Sequence, residues 1–207
     1  MTQITQVTRA RGVASVTFSD ETVLRVPSAV YFDFRVRAGD QIDREAYEKL
    51  IAGHAYPYAL DRAAKLLGAR DYTQKEIVQR LKAAAYDEAT VARVMAALDA
   101  HQFVSDERYA QHYVERKSVR YGRMRLYQEL QRKGVSEQTA KEALAALPKD
   151  DELNAARKQA KKLVQRGRCT DAPSRQKALA ALARRGFSFS VAKQALQAEL
   201  EENDDDL

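Results

Sequence analysis

Through the first forty residues, short runs of β-branched and apolar residues alternate with polar ones, the period-two pattern of strands with one buried face. The pattern predicts strands over 4–11, 13–19 and 22–26. Ser19-Asp20-Glu21 supplies a turn between the second and third, and Pro27-Ser28 ends the third before a short helix over 29–34. Ala38-Gly39-Asp40 reads as a loop, and Asp43 as the N-cap of a helix running through Tyr47, Leu50 and Ile51. A small antiparallel β-sheet with short helices is the expected N-terminal unit.

After about residue 55 the apolar spacing becomes helical, and the chain repeats itself. Residues 76–98 align without gaps on 125–147 and on 177–199, at offsets of 49 and 52. Leu81, Leu130 and Leu182 share one column, and Met95, Leu144 and Leu196 share another; both read as core positions. Ala85, Gly134 and Gly186 fall where a helix should close, and glycine suits the left-handed residue there. Asp87, Ser136 and Ser188 follow as N-caps, each preceded by an apolar residue, Tyr86, Val135 or Phe187. A leading helix precedes each window, over 58–68, 106–121 and 151–167, and Thr73 to Glu76 fits a capping box. The third unit has a longer loop over 168–174 with Cys169 and Pro173.

The expected fold is therefore mainly α: three tandem three-helix repeats in an elongated, curved body, behind the small β-sheet. The expected division is a β-rich domain over 1–54, repeats over 55–104, 105–150 and 151–200, and an acidic tail over 201–207. Its 207 residues, 45% of them hydrophobic, suffice for real cores, and no apolar run approaches a membrane span. One cysteine, Cys169, excludes an internal disulfide framework. A cytoplasmic, monomeric protein is the simplest expectation.

Charge sharpens the picture. Residues 1–104 carry 14 Lys/Arg against 13 Asp/Glu, residues 105–198 carry 21 against 10, and residues 199–207 carry six acids and no base. A field so concentrated draws polyanions or acidic protein surfaces. The tail reads as a solvated acidic end, or as a competitor folding back over the basic face. Phosphate loops, nucleophile elbows, metal-ligand spacings and paired carboxylates are missing from the sequence, and His54, His101 and His112 stand apart from other ligand types. The expectation is a binding protein with no catalytic residue, cofactor or metal.

On the second unit's leading helix, Tyr109, Tyr113 and Val114 mark a buried stripe, while Arg116, Arg120 and Arg123, spaced i, i+4 and i+7, read as one exposed row. Lys117 and Arg125 flank it, and Arg132 with Lys133 ends the next helix. On the third leading helix, Ala156, Ala160 and Leu163 face inward and Lys158, Lys161, Lys162 and Gln165 outward, with Arg166 and Arg168 beyond. Singly, such residues solvate helix faces; together they form a candidate partner-binding surface. Residues 130–140 also look like a helix-turn-helix, so a DNA-binding repeat protein is the alternative. Its reading positions would be Glu137, Gln138, Lys141 and Glu142, two of them carboxylates, which suits repeat packing better than base contact.

The stretch Phe103-Val104-Ser105-Asp106-Glu107-Arg108-Tyr109-Ala110, then Tyr121-Gly122-Arg123, then Glu129 to Val135, resembles the central signature of the RecX family. Arg70-Asp71-Tyr72-Thr73 to Leu81 is similar to that family's opening repeat, and the N-terminal strands resemble an extension found in some members. The likeness spans about residues 55–200 and is weakest in the third unit. It implies a modulator that lies along the groove of a RecA filament and curbs ATP hydrolysis, strand exchange and filament growth. Single- or double-stranded DNA in the filament would share the same positive charges.

Overall fold

The computed structural model describes residues 1–165, 169 and 171–205. They form two compact units, Met1–Ser105 and Asp106–Leu207.

The first unit opens with β1 (Thr2–Ala10), β2 (Val13–Phe18) and β3 (Val23–Pro27), joined later by the short β4 (Gln41–Ile42) in the antiparallel order β3-β2-β1-β4. Ala10 pairs with Val13 across Arg11-Gly12, both at positive φ (51° and 82°), which gives a two-residue loop the twist a hairpin needs. Ile4, Ala14, Val16, Phe18 and Val26 are buried. Against the sheet lie α1 (Ser28–Asp33) and the first part of α2 (Arg44–Ala69). The Tyr31 hydroxyl donates to Val36 O at 2.7 Å and that of Tyr47 to Phe34 O at 2.8 Å, so neither phenol is buried unpaired.

The expected break near residue 54 does not occur. Asp43 caps α2 as anticipated, accepting from Ala46 N at 3.1 Å, but the helix continues through Pro57 for 26 residues. Proline inside a helix costs about 3 kcal/mol. Buried Tyr47, Ile51, Ala55, Ala59 and Ala63, spaced every four residues, run across that point and hold both halves on one core. The sheet and the first repeat consequently share that core. This repeat is completed by α3 (Gln74–Ala83), opened by the Thr73–Glu76 capping box, and α4 (Glu88–Ala100).

The second unit holds α5 (Asp106–Ser118), α6 (Arg123–Arg132) and α7 (Glu137–Ala145), then α8 (Lys149–Val164), α9 (Ala172–Arg184) and α10 (Phe189–Asp205). Pro173 belongs to the first turn of α9, not to the preceding loop, because Asp171 caps the helix through Ser174 and proline fits the start of a helix.

Each repeat closes its middle helix in the same way. The amides of Tyr86, Val135 and Phe187 donate to Leu81, Leu130 and Leu182 O, and those of Ala85, Gly134 and Gly186 to Lys82, Gln131 and Ala183 O. This is the Schellman arrangement, with the hinge residue left-handed at φ 66°, 91° and 86°. The three leucines are fully buried, with Tyr86, Val135 and Phe187 buried beside them in the three cores. Asp87, Ser136 and Ser188 then cap the last helices through Thr90, Thr139 and Val191. In the other predicted core column, Leu144 and Leu196 are buried and Met95 is half-buried.

Candidate nucleic-acid or acidic-partner interface

The basic residues of the second unit divide into those committed to the fold and those presented to solvent. Arg116 and Lys117 occupy the last turn of α5, where positive charge complements the helix dipole, and Arg120 follows in the turn beyond. Arg116 and Arg120 are exposed and Lys117 half-buried. The inner stripe of this helix is as anticipated: Tyr109, Tyr113 and Val114 are buried, the two rings stacked at 5.9 Å.

Arg123 does not extend the row. The leading helix stops at Ser118, the amides of Arg120 and Tyr121 both donate to Lys117 O, and Arg123 becomes the first residue of α6. There its guanidinium donates to Leu144 O and Leu147 O at 2.7 Å each and to Glu152 Oε2 at 3.1 Å, while its amide donates to Glu152 Oε1. It closes the C-terminus of α7 and ties it to α8. The i, i+4, i+7 spacing misplaced it because the periodicity was carried across a glycine at which one helix ends and another begins.

That glycine explains the junction. Gly122 is the N-cap of α6, a position that favours a capping side chain, but a Cβ there would lie 2.2 Å from Gly186 O. The cap comes from the neighbouring repeat: Gly122 N donates to Arg185 O at 2.9 Å and Met124 N to Gly186 O at 3.3 Å. A Cβ on Gly186 would in turn meet Arg125 N at 2.4 Å. The start of α6 and the end of α9 meet backbone to backbone.

Around Glu129 the repeat builds a charged cluster. Tyr113 Oη and Arg125 Nε, the latter at 2.9 Å, donate to its carboxylate, Arg132 lies 3.7 Å away, and Arg125 stacks on Tyr121. Burial pushes the Glu129 carboxyl up, but these hydrogen bonds and the Arg125 charge outweigh it and hold the group below its ordinary range. Burial, then the Glu129 bond, raises the Tyr113 phenol well above a free tyrosine. Lys133 lies over the Tyr109 and Tyr113 rings. Arg125, Arg132 and Lys133 are thus brought together, as half-buried or exposed groups positioned by aromatic and carboxylate neighbours.

On α8, Ala156 and Ala160 are buried, Leu163 half-buried, and Lys158, Lys161, Lys162 and Gln165 exposed, as the sequence predicts. Arg166 and Arg168 lie outside the described residues. Two third-unit features were not anticipated. Cys169 is buried in the core, which raises its thiol. Arg157 Nε donates to the buried Glu199 at 2.9 Å, and its Nη2 pairs with Glu202, so the first acids of the tail are held within α10 against α8. At the helix-turn-helix, Glu137 pairs with Lys141 at 2.6 Å and Gln138 with Glu142, so the positions that would read bases are engaged with one another.

The chain matches the family descriptions "RecX, first three-helix domain" over residues 59–98, "RecX, second three-helix domain" over 105–144 and "RecX, third three-helix domain" over 150–196. It is 37% identical to a "Regulatory protein RecX" from Chromobacterium violaceum over 136 residues, 65% of this chain and 86% of that protein. The chain belongs to the RecX family. Its RecX relative in Bacillus subtilis is 27% identical over 93% of this chain and 74% of that protein. A crystal structure of regulatory protein RecX superposes with a TM-score of 0.65 over 96% of this chain and 100% of that one at 24% identity, and RecX from Lactobacillus salivarius with 0.62 over 70% and 96% at 21%. These two support the RecX fold: three three-helix domains, here behind a small antiparallel sheet. Among the described residues no helix is long and apolar enough to cross a membrane.

Proposed function

We propose that the chain regulates RecA by binding the RecA–DNA filament and lowering its ATP hydrolysis, strand exchange and extension. The observation that carries this reading is the concentration of positive charge on the second and third RecX repeats, with Arg116, Arg120, Lys158, Lys161 and Lys162 exposed. A filament presents nucleic-acid phosphates and repeating protein surfaces, so several modest contacts on neighbouring subunits add through effective concentration. Long-range attraction accelerates encounter and makes it salt-sensitive. Lys117, Arg125, Arg132 and Lys133 supplement the exposed set, while Arg123 serves the fold.

The test is DNA-dependent ATP hydrolysis by the cognate RecA, measured with the chain at substoichiometric ratio and low salt. The expected result is a fall in rate, weakened when Arg116, Arg120, Lys158, Lys161 and Lys162 are reversed to Glu. An unchanged rate with the wild-type chain removes the reading.

A further inference from the structure

Beyond the residues singled out by charge alone, the second unit contains a groove between α6 and α9. Its volume is about 700 Å³, and Arg125, Arg132 and Arg184 line it with Tyr127, Gln131 and Met124. Among the described residues no carboxylate lines it. Glu129 offsets part of the charge from behind, through Arg125 and Arg132. Arg184, exposed at the end of α9, has no ion-pair partner among the described residues. The side-chain Nε2 of Gln131 is buried and has no hydrogen-bond partner there. Such a donor is costly to leave unpaired.

A second hollow of about 540 Å³ adjoins the first and shares Met124, Tyr127 and Gly186 with it. Its wall is largely apolar, with Leu144 and Ala145, and its charged lining is Lys141 and the Arg123–Glu152 pair, in which the one carboxylate is already neutralised. Met124 is 65% exposed, and Phe189, next to the lining residue Ser188, is 69% exposed. Guanidinium and amide donors thus stand beside uncovered apolar surface, and the Gly122–Gly186 junction fixes the helices that carry them. Preorganisation of this kind reduces the ordering cost of binding.

We propose that this pair of hollows is a docking site for an acidic protein segment, whose carboxylates face Arg125, Arg132 and Arg184 and whose neighbouring apolar side chain covers the exposed Met124. Guanidinium forks match carboxylates bidentately. Phosphodiesters would match the arginines too, but a sugar-phosphate backbone offers nothing to cover Met124. A single-stranded nucleic acid would instead call for open aromatic platforms, whereas Tyr127 is half-buried and Tyr121 is covered by Arg125. The proposal does not depend on the identity of the filament partner.

The experiment titrates the full-length chain into a fluorescein-labelled twelve-residue peptide of alternating Asp/Glu and Leu and reads anisotropy. Parallel titrations use the same peptide with Ser for Leu and a single-stranded oligonucleotide of equal charge. Arg184→Glu and Met124→Asp should each weaken the Leu peptide by about tenfold or more, as should Ser for Leu, while Arg80→Glu, at an exposed position on α3 of the first unit, changes it by less than about threefold. Arg184→Gln and Met124→Ser, with circular dichroism spectra, guard against misfolding and should weaken binding in the same direction. The proposal is overturned if the Leu peptide does not bind, if the groove variants bind it like wild type, or if the oligonucleotide binds more tightly with the same dependence on Arg184.

Discussion

Arg123 shows how a single position separates a charge that could serve a partner from one that serves the fold. Its guanidinium satisfies two carbonyls at the end of α7 and the largely buried Glu152. Arg123→Ala leaves all three short of a donor, and a group of this kind is worth about 2–4 kcal/mol once non-additivity is allowed for. The midpoint of urea unfolding should fall accordingly, whereas Arg116→Ala, on an exposed face, should move stability by less than about 0.5 kcal/mol. An Arg123 variant that unfolds like wild type would return this residue to the docking surface. Glu129 gives a prediction in pH. Its carboxyl is held below the ordinary 4.5, so near pH 4 the unfolded chain binds a proton that the folded chain does not. Its contribution is present above pH 4.5 and lost as pH falls through the lowered folded value. In stability measured from pH 6 to 3, Glu129→Gln should therefore show a shallower acid decline than wild type, and equal slopes would remove the carboxylate from the acid response.

At the scale of helices and turns, two glycines make opposite predictions. Gly122 stands where a Cβ would collide with the Gly186 carbonyl, so Gly122→Ala must part the α6 and α9 termini and give up the two hydrogen bonds between them. Overpacking alone costs about 1–3 kcal/mol. Gly53 lies inside α2 with open space around its Cβ position, so Gly53→Ala should stabilise by about 0.5–1 kcal/mol. Differential scanning calorimetry on both variants distinguishes them, and a neutral Gly122→Ala would contradict the close junction. The same pair marks what was legible from sequence. The strands, the Asp43 cap, the capping box and the three helix–turn–helix closures all rest on contacts within a few residues, and local chemistry revealed them. The continuity of α2 through Pro57 and the end of α5 at Ser118 depend on surfaces far away in the chain. A stripe spaced every four residues from Tyr47 to Ala63 was the available sign of the first. For the groove, repeat register held a clue, since Arg184 falls in the column of Arg132. Nothing local shows that Gly186 abuts Gly122, and so Met124, Gln131 and Phe189 could not be grouped with those arginines.

For the molecule as a whole, charge is the property that no single residue or helix explains. Met1–Ser105 carries 14 bases against 13 acids, while Asp106–Leu207 carries 21 against 16, six of those acids after residue 198. Glu199 and Glu202 are held by Arg157, and Leu200 packs on the third repeat's core, so the start of the acidic segment belongs to the fold. A truncation that removes 199–207 would strip this packing and test stability, not competition. Removing 203–207 leaves the Arg157 pair and Leu200 in place while deleting Asp204, Asp205 and Asp206, which takes the net charge from +6 to +9. If those acids screen the basic repeats from an anionic partner, association with the RecA filament should quicken severalfold at low ionic strength. The gain should vanish near 1 M salt, where the screening length falls to about 3 Å. The unfolding midpoint should stay put, since the contacts made by Glu199, Leu200 and Glu202 remain. Stopped-flow association rates across a salt series therefore decide the role of the last acids: a rate unchanged at low salt makes them a solvating end, and a faster one makes them a competitor for the basic repeats.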